Sequence, residues 1–322
     1  MSNHYLVTGG AGFIGSHLVE RLVRDGHRVR VLDNFATGKK ENLAPFLEDI
    51  DLRVADLRDP EAVGGACEGV DYIFHQGALG SVPRSVAAPI TTHDCNTTGT
   101  LNILVAARDR GVKRIVYASS SSVYGDTPTL PKHEGMIPSP RSPYALSKLS
   151  AEQYCQVFTR VYGLETVSLR YFNVFGPRQD PMSQYAAVIP KFITALLEDR
   201  APTINGDGCQ TRDFTYIANN VEANMLAMHA PQASGEAINI ACGERYSLLE
   251  LYQELCRLMG KNIEPVFGPT RSGDVRDSQA AIDQAHKLLG YQPLETFHGG
   301  LEKTVQWFVE AHASRSTEGL EV

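Results

Sequence analysis

Short apolar runs alternate with stretches of helical spacing through the first half of the chain. The runs at 4–8, 28–32, 51–54, 71–75, 114–118 and 165–170 read as buried strands. Between them, apolar residues recur every three to four positions over 12–25, 60–67, 96–110 and 144–162, which predicts helices. Strands alternating with helices predict an α/β fold, a parallel sheet covered on both faces. Ligands of such a sheet collect at the carboxyl ends of its strands. The informative loops are therefore those after Val7, Leu32, Val54, Phe74, Ala118 and Arg170.

Beyond residue 174 the pattern changes. Gly176-Pro177, Asp180-Pro181 and Gly206-Asp207-Gly208 punctuate irregular segments around predicted helices at 188–198 and 218–229. A strand at 237–241 and helices at 247–259 and 296–311 follow, and the polar stretch 314–322 is expected to fray.

The first strand runs into Thr8-Gly9-Gly10-Ala11-Gly12-Phe13-Ile14-Gly15. Gly9, Gly12 and Gly15 suit a tight turn, a close approach of backbone N–H groups to a pyrophosphate, and close packing of helix on strand. Asp33 ends the next apolar run, where a carboxylate can hold ribose hydroxyls and would repel a 2′-phosphate. Together these predict a dinucleotide site that prefers NAD. Asp56-Leu57 after the third strand either sets a carboxylate near the adenine or merely starts a loop. Gln76-Gly77-Ala78-Leu79 after the fourth suits either backbone running under the cofactor or a plain turn.

Composition narrows the partners. A formal charge of −7 and a pI near 5.8 give no bulk attraction to nucleic acid or anionic membranes. No apolar run approaches the roughly 18 residues that span a bilayer. Six scattered cysteines without a C-x-x-C, and histidines without ligand spacing, point to reduced thiols, a cytoplasmic setting and no metal.

Chemistry concentrates in two stretches. Tyr144 and Lys148 stand four residues apart, on one helix face, where an ammonium is expected to lower the phenol pKa and make Tyr144 a general base. The run Ser119-Ser120-Ser121-Ser122 ends the fifth strand, over the same sheet edge.

At this point the chain resembles the extended short-chain dehydrogenase/reductase family, and within it the nucleotide-sugar 4-epimerases. The matching stretches are TGGAGFIG, LDNF, SSSSVYGD, SPYALSK, LRYFNVFGPRQ, GDGCQTRDF and RSGDV. The resemblance implies a Rossmann-type doubly wound sheet over 1–174, with 213–242 packing back onto it, and a smaller α/β substrate domain over 175–322. It makes Ser120, Tyr144 and Lys148 the catalytic residues. NAD would be held by Gly9, Gly12, Phe13, Ile14, Gly15, Asp33, Asn34, Asp56, Leu57, Gln76, Ala78, Tyr144, Lys148 and Tyr171. A UDP-sugar would meet Ser81, Ser120, Ser121, Asn173, Val188, Arg212, Arg271, Asp274 and Ser278. On local evidence alone, Arg212-Asp213 would read as a surface ion pair and Arg271 as a solvated loop cation.

Dehydratases of the family carry an acidic pair directly after the catalytic Ser/Thr, and decarboxylases a glutamate two residues after it. Here Ser121 and Ser122 stand there, which leaves epimerisation. The stretches 77–85, 185–190 and 271–276 resemble bacterial UDP-N-acetylglucosamine 4-epimerases. Ser278 stands where epimerases restricted to UDP-glucose and UDP-galactose carry a tyrosine, so room for a 2-acetamido group is expected. Gly80 replaces a lysine common in UDP-galactose enzymes, and Ala281 an aspartate. The alternatives are a UDP-glucuronate 4-epimerase or decarboxylase, and a non-catalytic NAD-binding regulator on the same fold. The resemblance also implies a homodimer through the helices at 96–110 and 144–162. Leu101, Leu104, Val105, Val157, Phe158 and Val161 would supply either that surface or intrachain core.

Overall fold

The structure is a computed structural model that describes residues 2–181, 187–270 and 275–318. Strands β1 (His4–Thr8), β2 (Arg28–Asp33), β3 (Ile50–Val54), β4 (Tyr72–His75), β5 (Arg114–Ser120) and β6 (Glu165–Tyr171) join the edge strand Ala237–Ile240 in one parallel sheet. The strand order is edge strand, β6, β5, β4, β1, β2, β3. The chain leaves β1 through β2 and β3, then returns to β4 on the other flank of β1. That reversal leaves a crevice at the carboxyl ends, where ligands of open α/β sheets bind.

Strands covered on both faces bury nearly every residue, which is why their sequences are continuous apolar runs. All five residues of β1 are buried. Tyr5 and Val7 enter one apolar layer and Leu6 the other, following the two-residue period of a strand.

Six helices flank this sheet before β6: α1 (Phe13–Arg24), α2 (Pro60–Ala66), α3 (Val82–Ala87), α4 (Pro89–His93), α5 (Gly99–Asp109) and α6 (Pro143–Tyr162). The helix expected from residue 96 is in fact preceded by α3 and α4 and by a π-helical segment, Asp94–Thr98. Pro83 and Pro89 sit in the first turns of these short helices, where a missing N–H costs nothing. Two turns or fewer leave no periodicity to read. Ser142 caps α6 by accepting the Ala145 N–H at 3.1 Å, which fixes where the helix carrying Tyr144 and Lys148 begins.

After β6 the chain forms short strand pairs, among them Thr203–Asn205 with Val266–Gly268 and Thr211–Arg212 with Tyr246–Ser247. Helices Val188–Leu197, Ile217–His229, Leu248–Met259, Asp283–Leu289 and Phe297–Glu318 surround them. The helix Ile217–His229 returns to the sheet. Arg114 at the start of β5 donates to Ala227 O (3.0 Å) and Ala230 O (2.8 Å), satisfying carbonyls at that helix's C-terminus. The last helix continues past the 296–311 expected for it, and residues 319–322 of the stretch expected to fray lie outside the described residues. It runs through Glu318, and Ser314 Oγ donates to Glu310 O at 3.0 Å.

All six cysteines are free thiols. Among the described residues, no helix is long and apolar enough to cross a membrane.

Candidate active site

A cavity of about 710 Å³ opens at the carboxyl ends of β1 to β6. Its floor is the glycine turn. Gly9 adopts φ +66°, and a Cβ there would lie 2.7 Å from Gly77 Cα; one on Gly15 would lie 2.1 Å from Gly9 O. Only glycines let the turn, α1 and the loop after β4 meet backbone to backbone. The N-terminus of α1 therefore opens on the cavity, a position that favours an anion such as a pyrophosphate.

Asp33 lines the same cavity and secures the turn. Its carboxylate accepts Ala11 N–H at 2.9 Å and Phe35 N–H at 2.8 Å. Burial pushes its pKa up, and those two bonds oppose the shift. Next to it, Asn34 Nδ2 donates to Asp56 Oδ2 at 2.8 Å. Arg58 grips both oxygens of Asp56 (2.9 and 2.8 Å) and holds that carboxyl well below the usual range. At the inner end Tyr171 OH donates to Asn224 Oδ1 (2.9 Å) and receives Gln76 Nε2 (3.1 Å). A glycine-floored cleft at a helix N-terminus, with a carboxylate at the end of β2, fits a dinucleotide with free ribose hydroxyls.

The catalytic candidates face this cavity from two elements. Ser120 ends β5, while Tyr144 and Lys148 come from successive turns of α6. The expectation that Lys148 lowers the Tyr144 pKa needs correction. Lys148 is itself buried, its Nζ donates to Ala118 O at 2.8 Å, and desolvation pushes it down to about 7. Its Nζ also stands 5.0 Å from the centre of the Tyr117 ring. Burial pushes the Tyr144 phenol up, and the group that pulls it down is the Ser120 hydroxyl.

Beneath these side chains lies a buried polar chain. Ser119 Oγ donates to Glu152 Oε2 (2.6 Å), Glu152 binds Arg170 through both oxygens, and Arg170 Nη1 donates to Tyr124 OH (2.8 Å). Tyr124 OH in turn donates to Asn239 Oδ1 on the edge strand (2.7 Å). Every polar member has a partner, so the network fixes α6 against β5 and β6.

A second cavity of about 930 Å³ adjoins the first and shares Asn173, Val174 and Gln179 with it. Ser81, Val188, Asn205, Gln210 and Arg212 also line it. Asn173 has φ +32°, and its Nδ2 donates to Asp213 O at 3.1 Å. Arg212 Nη1 donates to Thr211 O (2.8 Å) and Arg276 O (2.9 Å).

The model of the NAD dependent epimerase/dehydratase family matches residues 5–241. The chain belongs to this family. It is 39% identical to a UDP-glucose 4-epimerase of Mycolicibacterium smegmatis, over 94% of this chain and 97% of that one. It is 34% identical to a UDP-N-acetyl-alpha-D-glucosaminuronate decarboxylase of Bacillus cytotoxicus, over 96% and 99%. A UDP-N-acetylglucosamine 4-epimerase from Methanobrevibacter ruminantium, solved in complex with UDP-N-acetylmuramic acid, superposes with a TM-score of 0.92 at 39% identity, covering 97% and 100%.

Within this family chain the first cavity gathers every residue expected to hold NAD, from Gly9 to Tyr171, together with Ser120 and Ser121. Ser81, Val188 and Arg212 line the second cavity, and Asn173 lines both. The Ser81 hydroxyl is engaged as the cap of α3, accepting Arg84 N–H at 3.1 Å. Ser278 lines neither cavity. It is buried, and its N–H donates to Thr211 O at 3.1 Å, one residue from Arg212. Arg271 and Asp274 lie outside the described residues. Asp213 is not the surface partner read locally for Arg212: it is fully buried and accepts the N–H groups of Cys242, Gly243 and Ala280, each at 3.1 Å. Burial pushes its carboxyl up to about 7.

Several lining residues escaped the sequence reading. Arg58 and Cys95 border the first cavity, and Asn224 supports Tyr171 from the helix Ile217–His229. Asn96, in the π-helical segment, accepts Leu79 N–H (2.7 Å) and donates to Ser147 Oγ (3.0 Å), tying the loop after β4 to α6. A π-helical insertion near a functional cleft was the available structural cue, and single sequences do not reveal one.

Proposed function

We propose that this chain is a UDP-sugar 4-epimerase that interconverts UDP-GlcNAc and UDP-GalNAc, with UDP-Glc and UDP-Gal as further substrates. The observation that carries this reading is the meeting of Ser120, Tyr144 and Lys148 in one cavity with the glycine turn, continuous with a second cavity through Asn173. NAD, when bound, would supply the hydride acceptor and donor for the sugar C4. Tyr144 takes the proton of the 4-hydroxyl and gives it back after the 4-keto sugar has turned over. Ser120 hydrogen-bonds the same oxygen, and Lys148 lies in the same cavity with its Nζ bonded to Ala118 O. Arg212 and Arg271 are assigned to the diphosphate, and Asp274 to the uridine ribose.

The acetamido preference rests on the similarity of the chain to the Methanobrevibacter enzyme and on Ser278 beside the strand that carries Arg212. Incubating the purified chain with UDP-GlcNAc, UDP-Glc and UDP-GlcA, with and without NAD, and separating the products tests the reading. Formation of UDP-GalNAc supports it, whereas conversion of UDP-Glc alone overturns the acetamido preference.

The similarity to a decarboxylase favours a second reading, in which the substrate is a uronate. A C6 carboxylate calls for a cation near Ser120. Among the described residues of the first cavity the cations are Arg58, held by Asp56, and Lys148, bonded to Ala118 O. That arrangement favours a neutral hexose. Release of carbon dioxide from UDP-GlcA would reverse the preference.

A homodimer is part of the same proposal. Leu104 and Phe158, candidates for its surface, are intrachain core, but Val105, Val157 and Val161 face outward with Leu146, Tyr154 and Tyr162. Light scattering of the purified chain at twice the monomer mass would support the dimer.

A further inference from the structure

Ser120 Oγ accepts two hydrogen bonds from the same neighbour. The Ser122 N–H donates to it at 3.2 Å and the Ser122 hydroxyl at 2.9 Å. A serine oxygen offers two lone pairs and one proton. With both lone pairs occupied, the only bond left to Ser120 is donation of its own proton.

We propose that Ser122 is a positioning residue that fixes Ser120 as a hydrogen-bond donor, its single proton directed to the Tyr144 phenolate before the proton transfer and to the reacting oxygen after it. This rests on the epimerase reading above. It has a mechanistic consequence. Were Ser120 to relay a proton, it would accept from the 4-hydroxyl while giving its own proton to the phenolate, and that needs a free lone pair. Here the 4-hydroxyl proton goes directly to Tyr144 Oη: the substrate O–H bond breaks and the phenol O–H forms. Ser120 keeps its proton throughout and stabilises the negative charge that develops on O4. Two bonds accepted by Ser120 polarise its O–H and strengthen the bond it donates.

Ser119 does not duplicate this role. Ser121 lines the same cavity, and Ser119 Oγ is committed to Glu152. The titratable groups around Tyr144 are Lys148 on its own helix, bonded to Ala118 O, Tyr117 on β5, and Cys95 from the π-helical segment in the wall of the cavity. Of the groups acting on the Tyr144 phenol, Ser120 is the one that lowers its pKa. Removing the hydroxyl of Ser122 therefore weakens the support that Ser120 gives to the phenolate.

The test compares Ser122→Ala and Ser122→Thr with the parent chain, measuring kcat, KM and the pH profile of UDP-sugar epimerisation. Ser122→Ala is expected to lower kcat about 3- to 10-fold with KM unchanged, the size of one hydrogen bond. The acid limb of its kcat profile moves to higher pH, because Tyr144 is harder to ionise. Ser122→Thr keeps the hydroxyl and restores both. Ultraviolet titration of phenolate, as the difference from Tyr144→Phe, follows the same shift in NAD-loaded protein without turnover. An unchanged kcat and phenolate titration in Ser122→Ala overturns the proposal, as does a Thr variant no better than Ala. If the parent chain epimerises none of the sugars, the function fails, and the titration still decides the role of Ser122.

Discussion

Glu152 and Arg170 form an ion pair beneath the catalytic cleft, 2.6 Å between Oε1 and Nη2, with side chains only 2% and 5% exposed. Glu152 stands one turn past Lys148 on α6 and accepts from Ser119 near the end of β5, while Arg170 comes from β6. Removing one partner leaves a buried charge unmatched. Glu152→Ala is expected to lower stability by about 3–5 kcal/mol. The double variant Glu152→Met/Arg170→Met removes both charges and should recover about half of that or more. Urea denaturation of the three proteins measures it, and a double variant as unstable as the single one would contradict the account.

Tyr144→Phe removes the group assigned to proton transfer while keeping the ring. Epimerisation should fall by about 10²- to 10⁴-fold, the usual contribution of a general base. Binding of NAD and UDP-sugar, measured by calorimetry, should stay close to the parent values, because the turn of residues 9–15 and the second cavity are untouched. Loss of binding together with activity would point to misfolding instead.

Acid should destabilise the chain through its buried histidines. Burial, helped by the Arg178 charge, pushes His17 down from 6.5 to about 4. The unfolded chain binds this proton more tightly, so the contribution is complete above pH 6.5 and is lost as the pH falls toward about 4. The full loss is on the order of 3 kcal/mol for His17. His75, pushed down to about 3 between Thr8 and Thr100, adds in the same direction. His17→Gln keeps a donor for Pro177 O, whose distance from Nε2 is 3.0 Å, without the titration. Melting temperatures of this variant between pH 4 and 7 should follow a flatter curve than those of the parent.

Ser278→Tyr probes the acetamido preference. Ser278 is buried and its N–H is bonded to Thr211 O, so a tyrosine there must displace its neighbours. Turnover of UDP-GlcNAc should fall at least about tenfold relative to UDP-Glc, since Arg212, next to Thr211, lines the second cavity and its displacement alters the space there. An unchanged ratio in competition assays would remove Ser278 from the specificity argument.

The order of strands and helices was legible because buried parallel strands and long flanking helices both leave strong apolar patterns. The glycine turn and the Tyr144–Lys148 spacing were legible for a different reason: each is local, and the chemistry dictates its spacing. Glu152 and Arg170 were not. They stand eighteen residues apart on a helix and a strand, and a polar residue within an amphipathic helix reads as solvated until its partner is placed. Asp213 misled for the same reason, because its neighbour in sequence is an arginine while its partners are backbone N–H groups of distant segments. Two-residue strands such as Val174–Phe175 hold too few positions to show a period.

Asn173 carries one more consequence. Its backbone stands at φ +32°, its amide holds Asp213 O, and its carbonyl receives Thr215 N–H at 3.3 Å. It is thus a hinge pin common to both halves of the cleft. Grafting the segment after residue 174 from a relative with another sugar preference would not exchange specificity as a module. The graft would succeed where the donor places a carbonyl and an N–H for this asparagine, and elsewhere the seam would open inside the cleft itself.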